Sequence, residues 1–253
     1  MVKIIGVEPS SAAERVGLRP GDYLISINGR EVRDVLDYRF FLAEKTVVLQ
    51  IHRDADLFEV TIRKGTYSDI GLEFETPLMD KKHTCANRCV FCFVDQLPKG
   101  MRETLYFKDD DERLSFLYGN YITLTNLSPH EVERIMRMHI SPINISVHTT
   151  DPELRTRMLG NPNGGSSLRH LKAFADAGVK IHAQIVACPG WNDGDQLKKT
   201  LADLSAMYPS VESVAVVPVG ITRHREGLTP LTPVGEQEAR DMIEIIDAQR
   251  AAN

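Results

Sequence analysis

Hydrophobic and polar positions follow one pattern over roughly the first quarter of the chain and another after residue 80. Val2–Val7, Tyr23–Ile27, Val47–His52 and Phe58–Arg63 are short apolar-rich runs bounded by turn residues, and read as strands. Between them, Ser10 or Ser11 can cap a short helix through Ala12, Ala13 and Glu14, and Gly17 can end it. Arg19-Pro20-Gly21-Asp22 is a turn, and Asn28-Gly29 is a hairpin turn because both residue types tolerate positive φ. Asp34 starts a predicted helix to Leu42, with Val35, Tyr38, Phe41 and Leu42 along one face. The short run Ile70–Phe74 follows as a linker strand.

Beyond residue 80, strands and helices alternate. Tyr121–Leu124, Ile143–Val147, Lys180–Val186 and Val214–Val217 are predicted strands. Ser128-Pro129-His130-Glu131 opens a helix to about Met138, with a cap, a first-turn proline and a glutamate three residues after the serine. Further helices run from Ser166 or Ser167 to Gly178, from Asp193 or Asp195 to Met207, and over Val234–Ala251. This alternation predicts an α/β fold built on a parallel sheet or barrel. An earlier strand is expected before Cys85, although Met79–Thr84 is polar for one. Two domains follow from the pattern, a β-rich module over 1–75 and an α/β domain over 76–253.

Composition supports this division: 253 residues suit two domains, and 42% apolar residues suffice for real cores. No run approaches the length of a bilayer crossing, and no signal-peptide pattern follows Met1, so a cytoplasmic protein without a membrane partner is expected. A net charge of −5 does not indicate a nucleic-acid binder.

The four cysteines change the picture, because Cys85, Cys89 and Cys92 crowd into one C-x-x-x-C-x-x-C stretch. They are too close together to staple a fold, and in a chain without a secretion signal they point to metal in a reducing compartment. Such a loop can wrap three thiolates around one face of an iron–sulfur cube, leaving an iron open for a small molecule. Structural zinc, with His83 as fourth ligand, is the alternative, although zinc knuckles favour paired two-residue spacings.

This motif, with Phe91 just before the third cysteine, resembles that of the radical SAM superfamily. The resemblance implies a partial (β/α) barrel, a 4Fe–4S cluster on Cys85, Cys89 and Cys92, and S-adenosylmethionine bound at the open iron. Reduction would cleave the cofactor to a 5′-deoxyadenosyl radical that abstracts hydrogen from a substrate, and this requires an electron donor. It also implies that Phe91 packs near the adenine. Cys92–Asp111, Arg113–Leu127, Gln184–Asp193 and Val217–Glu226 are similar to a family of iron–sulfur oxidoreductases that joins a PDZ module, a radical SAM barrel and a C-terminal domain of unknown function. That family continues past residue 253, so the chain is expected to be a fragment. Its superfamily's Gly-Gly-Glu turn is missing; Thr125 and Asn126, or Gly119 and Asn120, could replace it, and strand-end position favours Thr125 and Asn126 as cofactor-binding residues.

The stretch Pro9–Val32 resembles a bacterial PDZ module. The carboxylate-binding loop and peptide-binding strand that normally come first do not precede Lys3. Ile70-Gly71-Leu72-Glu73-Phe74 is similar to them, which implies a circularly permuted module with Ile70, Gly71 and Leu72 at the peptide site. Leu72–Phe74 should then lie beside the helix Val35–Leu42, with Gly71 near the helix N-terminus. The groove would take a partner's C-terminus or the chain's own linker.

Barrel sites lie at the C-terminal ends of strands, and this singles out further residues. Ser146 and His148 close their strand; Ser146 is assigned to the cofactor, and His148 to substrate or cofactor chemistry unless it only satisfies loop backbone. Gln184 reaches the cofactor ribose if its parity points it inward. Cys188 is a hydrogen donor to a substrate radical or simply a small buried hydrophobe. Val219 and Gly220 end a strand where glycine would let the backbone approach adenine, or they form an ordinary turn. Lys99, Arg102, Lys108 and Asp109–Asp111 form a solvated face or hold an anionic substrate. The expected function is a radical SAM enzyme on an unknown substrate. A PDZ-based binding protein whose cluster serves electron transfer or structure is the rival, and release of 5′-deoxyadenosine separates the two.

Overall fold

The computed structural model describes residues 1–252 and divides into a first unit, Met1–Lys82, and a second from His83 onward. The first is an antiparallel sheet with two short helices. Strands β1 (Val2–Val7), β2 (Tyr23–Ile27), β3 (Arg30–Glu31), β4 (Thr46–Arg53), β5 (Asp56–Arg63) and β6 (Leu72–Phe74) run in the order β5-β4-β2-β1-β6, with β3 folded back on β2. Asn28 and Gly29 have φ of 53° and 73°, as the β2–β3 hairpin requires. Ser11 caps α1 (Ala12–Arg15) by accepting from Glu14 N–H, and Asp34 caps α2 (Val35–Phe41) by accepting from Leu36 and Asp37. Leu24, Ile27, Leu49 and Ile51 are fully buried between the elements. Each such side chain contributes about 1.5–3 kcal/mol as an upper estimate.

Strand β6 pairs with β1, Ile4 opposite Phe74 and Val7 opposite Leu72, so Leu72–Phe74 is part of the module's sheet, and the Ile70 and Gly71 carbonyls just before it accept from Ala13 and Glu8 N–H. The units separate after Lys82, later than the expected residue 75. Leu78 explains part of the difference: it is buried, and its carbonyl accepts from Val35 N–H at the start of α2.

The second unit is a parallel sheet, β7 (Ile143–Ser146), β8 (Ile181–Ala187) and β9 (Val211–Pro218), joined in that order with Ser146 opposite Gln184. Its helices are α3 (Glu112–Tyr118), α4 (Pro129–Met138), α5 (Pro152–Leu159), α6 (Leu168–Asp176), α7 (Gly194–Ser205) and α8 (Glu236–Ala252). The capping box at α4 forms between Ser128 and Glu131 as the sequence predicts. Along β8, Ile181, Ala183, Ile185 and Ala187 are fully buried, whereas His182, Gln184 and Val186 are half-buried. The strand therefore has one packed face and one partly open face.

Three expectations fail for local reasons. The strand Tyr121–Leu124 shrinks to a single parallel bridge, Ile122 with Ile145. Thr123 N–H donates to the Asp110 carboxylate instead of a neighbouring strand, and Leu124 then turns with φ 67°. Met79–Thr84 forms no strand; Thr84 makes one antiparallel bridge with Asp109. Ser167 precedes α6 without capping it, because its hydroxyl accepts from the Arg155 guanidinium. Helices α3 and α5 were not anticipated, although Asp151-Pro152 is a legible cap and first-turn pair.

Candidate active site

Cys85, Cys89 and Cys92 lie on a loop pinned along its length. Cys85 N–H donates to the Lys108 carbonyl at 2.8 Å, and Cys92 N–H closes a turn on Cys89 at 3.0 Å. Between them, Arg88 and Val90 donate to Leu159 and Met158 at 2.9 Å each, using carbonyls that the end of α5 leaves without helical partners. Gly160 permits this approach: its φ is +55°, and a Cβ there would stand 2.6 Å from the Arg88 carbonyl oxygen.

All three thiols are free and half-buried. Burial pushes each above the ordinary thiol range, and Cys89 is raised further by the other two sulfurs and Asp110. Lys108, ion-paired with Asp95 at 2.5 Å, works in the opposite direction on Cys89 and Cys92. Three thiols on one short loop that the protein itself does not ionise suit a metal centre, whose positive charge stabilises thiolates. His83 is engaged elsewhere, its Nδ1 3.3 Å from Glu112 and 3.8 Å from Glu131, so it does not complete a zinc set as the sequence allowed.

Asn87, inside the cysteine motif, has every side-chain valence filled. Its Nδ2 donates to Cys85 Sγ at 3.3 Å and Thr123 Oγ1 at 2.8 Å. Its Oδ1 accepts from Thr125 Oγ1 at 2.9 Å and Asn161 Nδ2 at 2.8 Å. Asn126 Nδ2 donates to the Thr84 carbonyl at 2.8 Å, and its Oδ1 accepts from Ala86 N–H at 3.4 Å. Thr125 and Asn126 thus brace the Cys85 end of the loop. Asn120, the alternative, bonds Asp109 instead.

On the other side of the loop, Phe91 meets His148, ring centroids 4.4 Å apart, and packs on a buried cluster of Leu154, Met158, Cys188 and Val219. Four residues chosen separately from the sequence therefore share one patch. His148 is buried with φ 64°, and its Nδ1 accepts from Val186 N–H at 3.2 Å. Burial, assisted by the Arg155 charge, lowers its pKa to about 3, so the ring is neutral with its proton on Nε2. Cys188 is fully buried, and burial pushes its thiol up to about 12. Asn192 joins the two, accepting from Cys188 N–H and donating to the His148 carbonyl, both at 2.8 Å.

A family model described as the Radical SAM-like domain matches residues 64–214, more than half of the chain. The chain belongs to the radical SAM superfamily. A PDZ domain model matches residues 3–53, so this radical SAM protein also carries a PDZ domain. A probable GTP 3′,8-cyclase of Pyrobaculum aerophilum is 28% identical over 108 residues, which are 40% of this chain. The match spans only 35% of that relative's length. Among solved structures, a domain of pyruvate-formate lyase-activating enzyme from Bacteroides vulgatus is 18% identical, with a TM-score of 0.40 over 51% of this chain and 76% of that one. A radical SAM methyltransferase from Sphaerobacter thermophilus is 14% identical, with a TM-score of 0.38 over 94% of this chain and 77% of that one.

Of the remaining candidates of this radical SAM protein, Ser146, Val219 and Gly220 sit at strand ends, and Gln184 lies within β8. Ser146 lies opposite Gln184, and its carbonyl accepts from Arg155 at 3.0 Å. Gln184 shares the half-buried face of β8 with Val186, which packs on the Phe91 patch, so its parity is the inward one. Val219 N–H donates to Ala187, and the Gly220 carbonyl accepts from Gln96 Nε2 at 3.0 Å. A Cβ at Gly220 would meet nothing within 4 Å, so packing within the protein does not require glycine there. The charge run is partly internal: Asp110 and Asp111 are buried, Asp111 pairs with Arg113, and Lys108 pairs with Asp95, while Lys99 and Arg102 stay exposed.

Four structural residues of the site escaped sequence reasoning. Asn87 and Gln96 could have been flagged as amides inside or beside the cysteine motif. Fully buried Gln96 also accepts from Thr222 N–H, and Arg225 donates to the Val90 carbonyl at 3.0 Å; together they fasten the segment after β9 to the cysteine loop. Arg155 gave no signal. Every guanidinium N–H has an acceptor, on Val147, Gly164, Ser167, Thr123 and Ser146, so one buried cation ties the ends of several segments together.

In the PDZ domain, Ile70 and Gly71 carbonyls accept from Ala13 and Glu8, and Leu72 begins β6. Gly71 has φ +82°, and a Cβ would stand 2.3 Å from Ser11 Cβ. A groove of about 700 Å³ lies between β6 and α2. Phe74 packs edge-on against Tyr38, and Leu78 reaches Val35, so the chain runs toward the α2 N-terminus. Gly71 therefore lies toward the other end, contrary to the sequence expectation. Turn geometry, which periodicity does not reveal, sets that direction.

Proposed function

We propose that this radical SAM protein is an enzyme that holds a 4Fe–4S cluster on Cys85, Cys89 and Cys92 and uses it with S-adenosylmethionine on an organic substrate. The observation that carries this reading is the pinned loop of three free, half-buried thiols, with Phe91 packed between it and the Cys188–Val219 patch. When bound and reduced, the cluster supplies the electron that splits S-adenosylmethionine into methionine and a 5′-deoxyadenosyl radical able to take a hydrogen atom from substrate.

The chain's own residues position and shield. Phe91 borders the adenine, and the backbone at Val219 and Gly220, free of side-chain obstruction, approaches it. Inward-facing Gln184 and Ser146 offer polar groups to the ribose and amino-acid ends, with Thr125 and Asn126 holding the loop beside them. Neutral His148 orients Phe91 through ring contact. Cys188 keeps its proton, as a hydrogen donor must, but its complete burial favours a packing role. The thiol requirement fits a reducing cytoplasmic setting and an electron-donor partner.

Anaerobic reconstitution with iron and sulfide tests this. Brown protein with about four irons per chain, releasing 5′-deoxyadenosine from S-adenosylmethionine and dithionite, is expected. Full iron without 5′-deoxyadenosine favours the rival reading of an electron-transfer or structural cluster on a PDZ-based binding protein. Full iron in Cys89→Ala refutes the ligand assignment.

A further inference from the structure

A PDZ groove captures a chain end when backbone N–H groups of its glycine loop are free to receive the terminal carboxylate. Here Gly71 N–H already donates to the Asp69 carboxylate, Oδ1, at 2.7 Å. The protein has placed its own carboxylate where a ligand's would be expected. Glu73 also lines the groove, and Arg39 is the lining cation. Lys64, within electrostatic reach of Asp69, has its ammonium on the Gly65 carbonyl.

A second observation points to a ligand of the opposite charge. Tyr38 lines the groove, is 6% exposed, and its hydroxyl has no hydrogen-bond partner among the described residues. A buried phenol without a partner is costly, and a ligand donor would relieve that cost. Burial first, then the nearby Asp69 and Glu8 charges, raise its pKa, so its neighbourhood is acidic. Beside it, β6 ends the sheet, leaving an outer strand edge to which no strand pairs among the described residues. The chain's own linker does not fill the groove; Thr76, Pro77 and Met79 wall it.

We propose that the groove between β6 and α2 takes an extended peptide segment carrying a basic residue, rather than a free C-terminus. The backbone adds to the β6 edge, and the lysine or arginine meets Asp69 and Glu8 while donating to the Tyr38 oxygen. A terminal carboxylate gains nothing, because its donor is occupied and like charges surround the position.

Fluorescence anisotropy on the full chain tests this with labelled alternating valine–threonine octapeptides carrying a central lysine or glutamate, each as free acid and as C-terminal amide. The lysine acid and amide are expected to bind within about twofold of each other, and the glutamate pair about tenfold more weakly. Tyr38→Phe should weaken the lysine peptides without lowering the thermal midpoint, since no internal hydrogen bond is lost. Asp69→Ala should selectively strengthen the free acids by releasing Gly71 N–H. A tenfold or greater preference for the free acids by the unmutated protein, equal binding of lysine and glutamate peptides, or no binding by any peptide overturns the proposal. If Asp69→Ala does not fold, the four peptides on the unmutated protein and Tyr38→Phe decide.

Discussion

Replacing Asn87 by alanine is the sharpest test of how the cysteine loop is held. The side chain is 4% exposed and makes four hydrogen bonds, to Cys85, Thr123, Thr125 and Asn161. At about 1 kcal/mol net per bond, the simple sum is about 4 kcal/mol. Two partners recover part of this. Thr123 Oγ1 keeps its bond to Asp110 at 2.6 Å, and Thr125 Oγ1 already lies 3.4 Å from the same carboxylate. Asn161, 7% exposed, keeps an amide donor whose acceptor has gone. The expected loss is therefore about 2–3 kcal/mol, concentrated in the unit that begins at His83. Urea unfolding of the metal-free protein measures it, with Asn126→Ala as a more exposed control expected to cost less. Iron content after reconstitution should fall as well, because Cys85 loses the amide that orients its sulfur. A loss below about 0.5 kcal/mol with full iron would show that the loop does not depend on this network.

Phe91→Ala should weaken S-adenosylmethionine binding while preserving iron content, because it changes packing and removes no ligand; isothermal titration with an unchanged dissociation constant would take Phe91 out of the site. Cys188→Ala should retain the brown colour and cost about 1 kcal/mol in urea, as expected for a buried small apolar group, whereas loss of iron would make Cys188 a ligand. His148 has its pKa lowered to about 3 in the folded chain, so between there and the unfolded value near 6.5 the unfolded state binds the extra proton. Stability contributed by the neutral ring is complete above pH 6.5 and declines as pH falls toward 3, with a slope of up to about 1.4 kcal/mol per pH unit. His148→Asn in the metal-free protein should flatten that slope, and parallel curves for the two proteins would place the titration elsewhere.

Elements with local causes were legible from sequence. Val2–Val7, Tyr23–Ile27, the Asn28-Gly29 turn and the Ser128–Glu131 cap depend on residue pattern and neighbours a few positions away, and the structure contains them all. The C-x-x-x-C-x-x-C spacing likewise marked the loop proposed to hold the cluster, because three thiols within eight residues share one short piece of chain. The structure decided what depends on distant partners. Tyr121–Leu124 has a strand's composition but loses its ladder to the Asp110 carboxylate, and Gly160 is needed because Arg88 passes over it. Asn87 and Arg155 look like ordinary polar residues in the sequence. Their importance lies in saturated hydrogen bonds to segments far along the chain, and only burial makes each of those bonds costly to lose. Periodicity encodes which face of an element is apolar. It does not encode which carbonyl, amide or carboxylate will stand opposite once the chain has closed on itself, and those meetings shape the cysteine loop and fill the Gly71 nest.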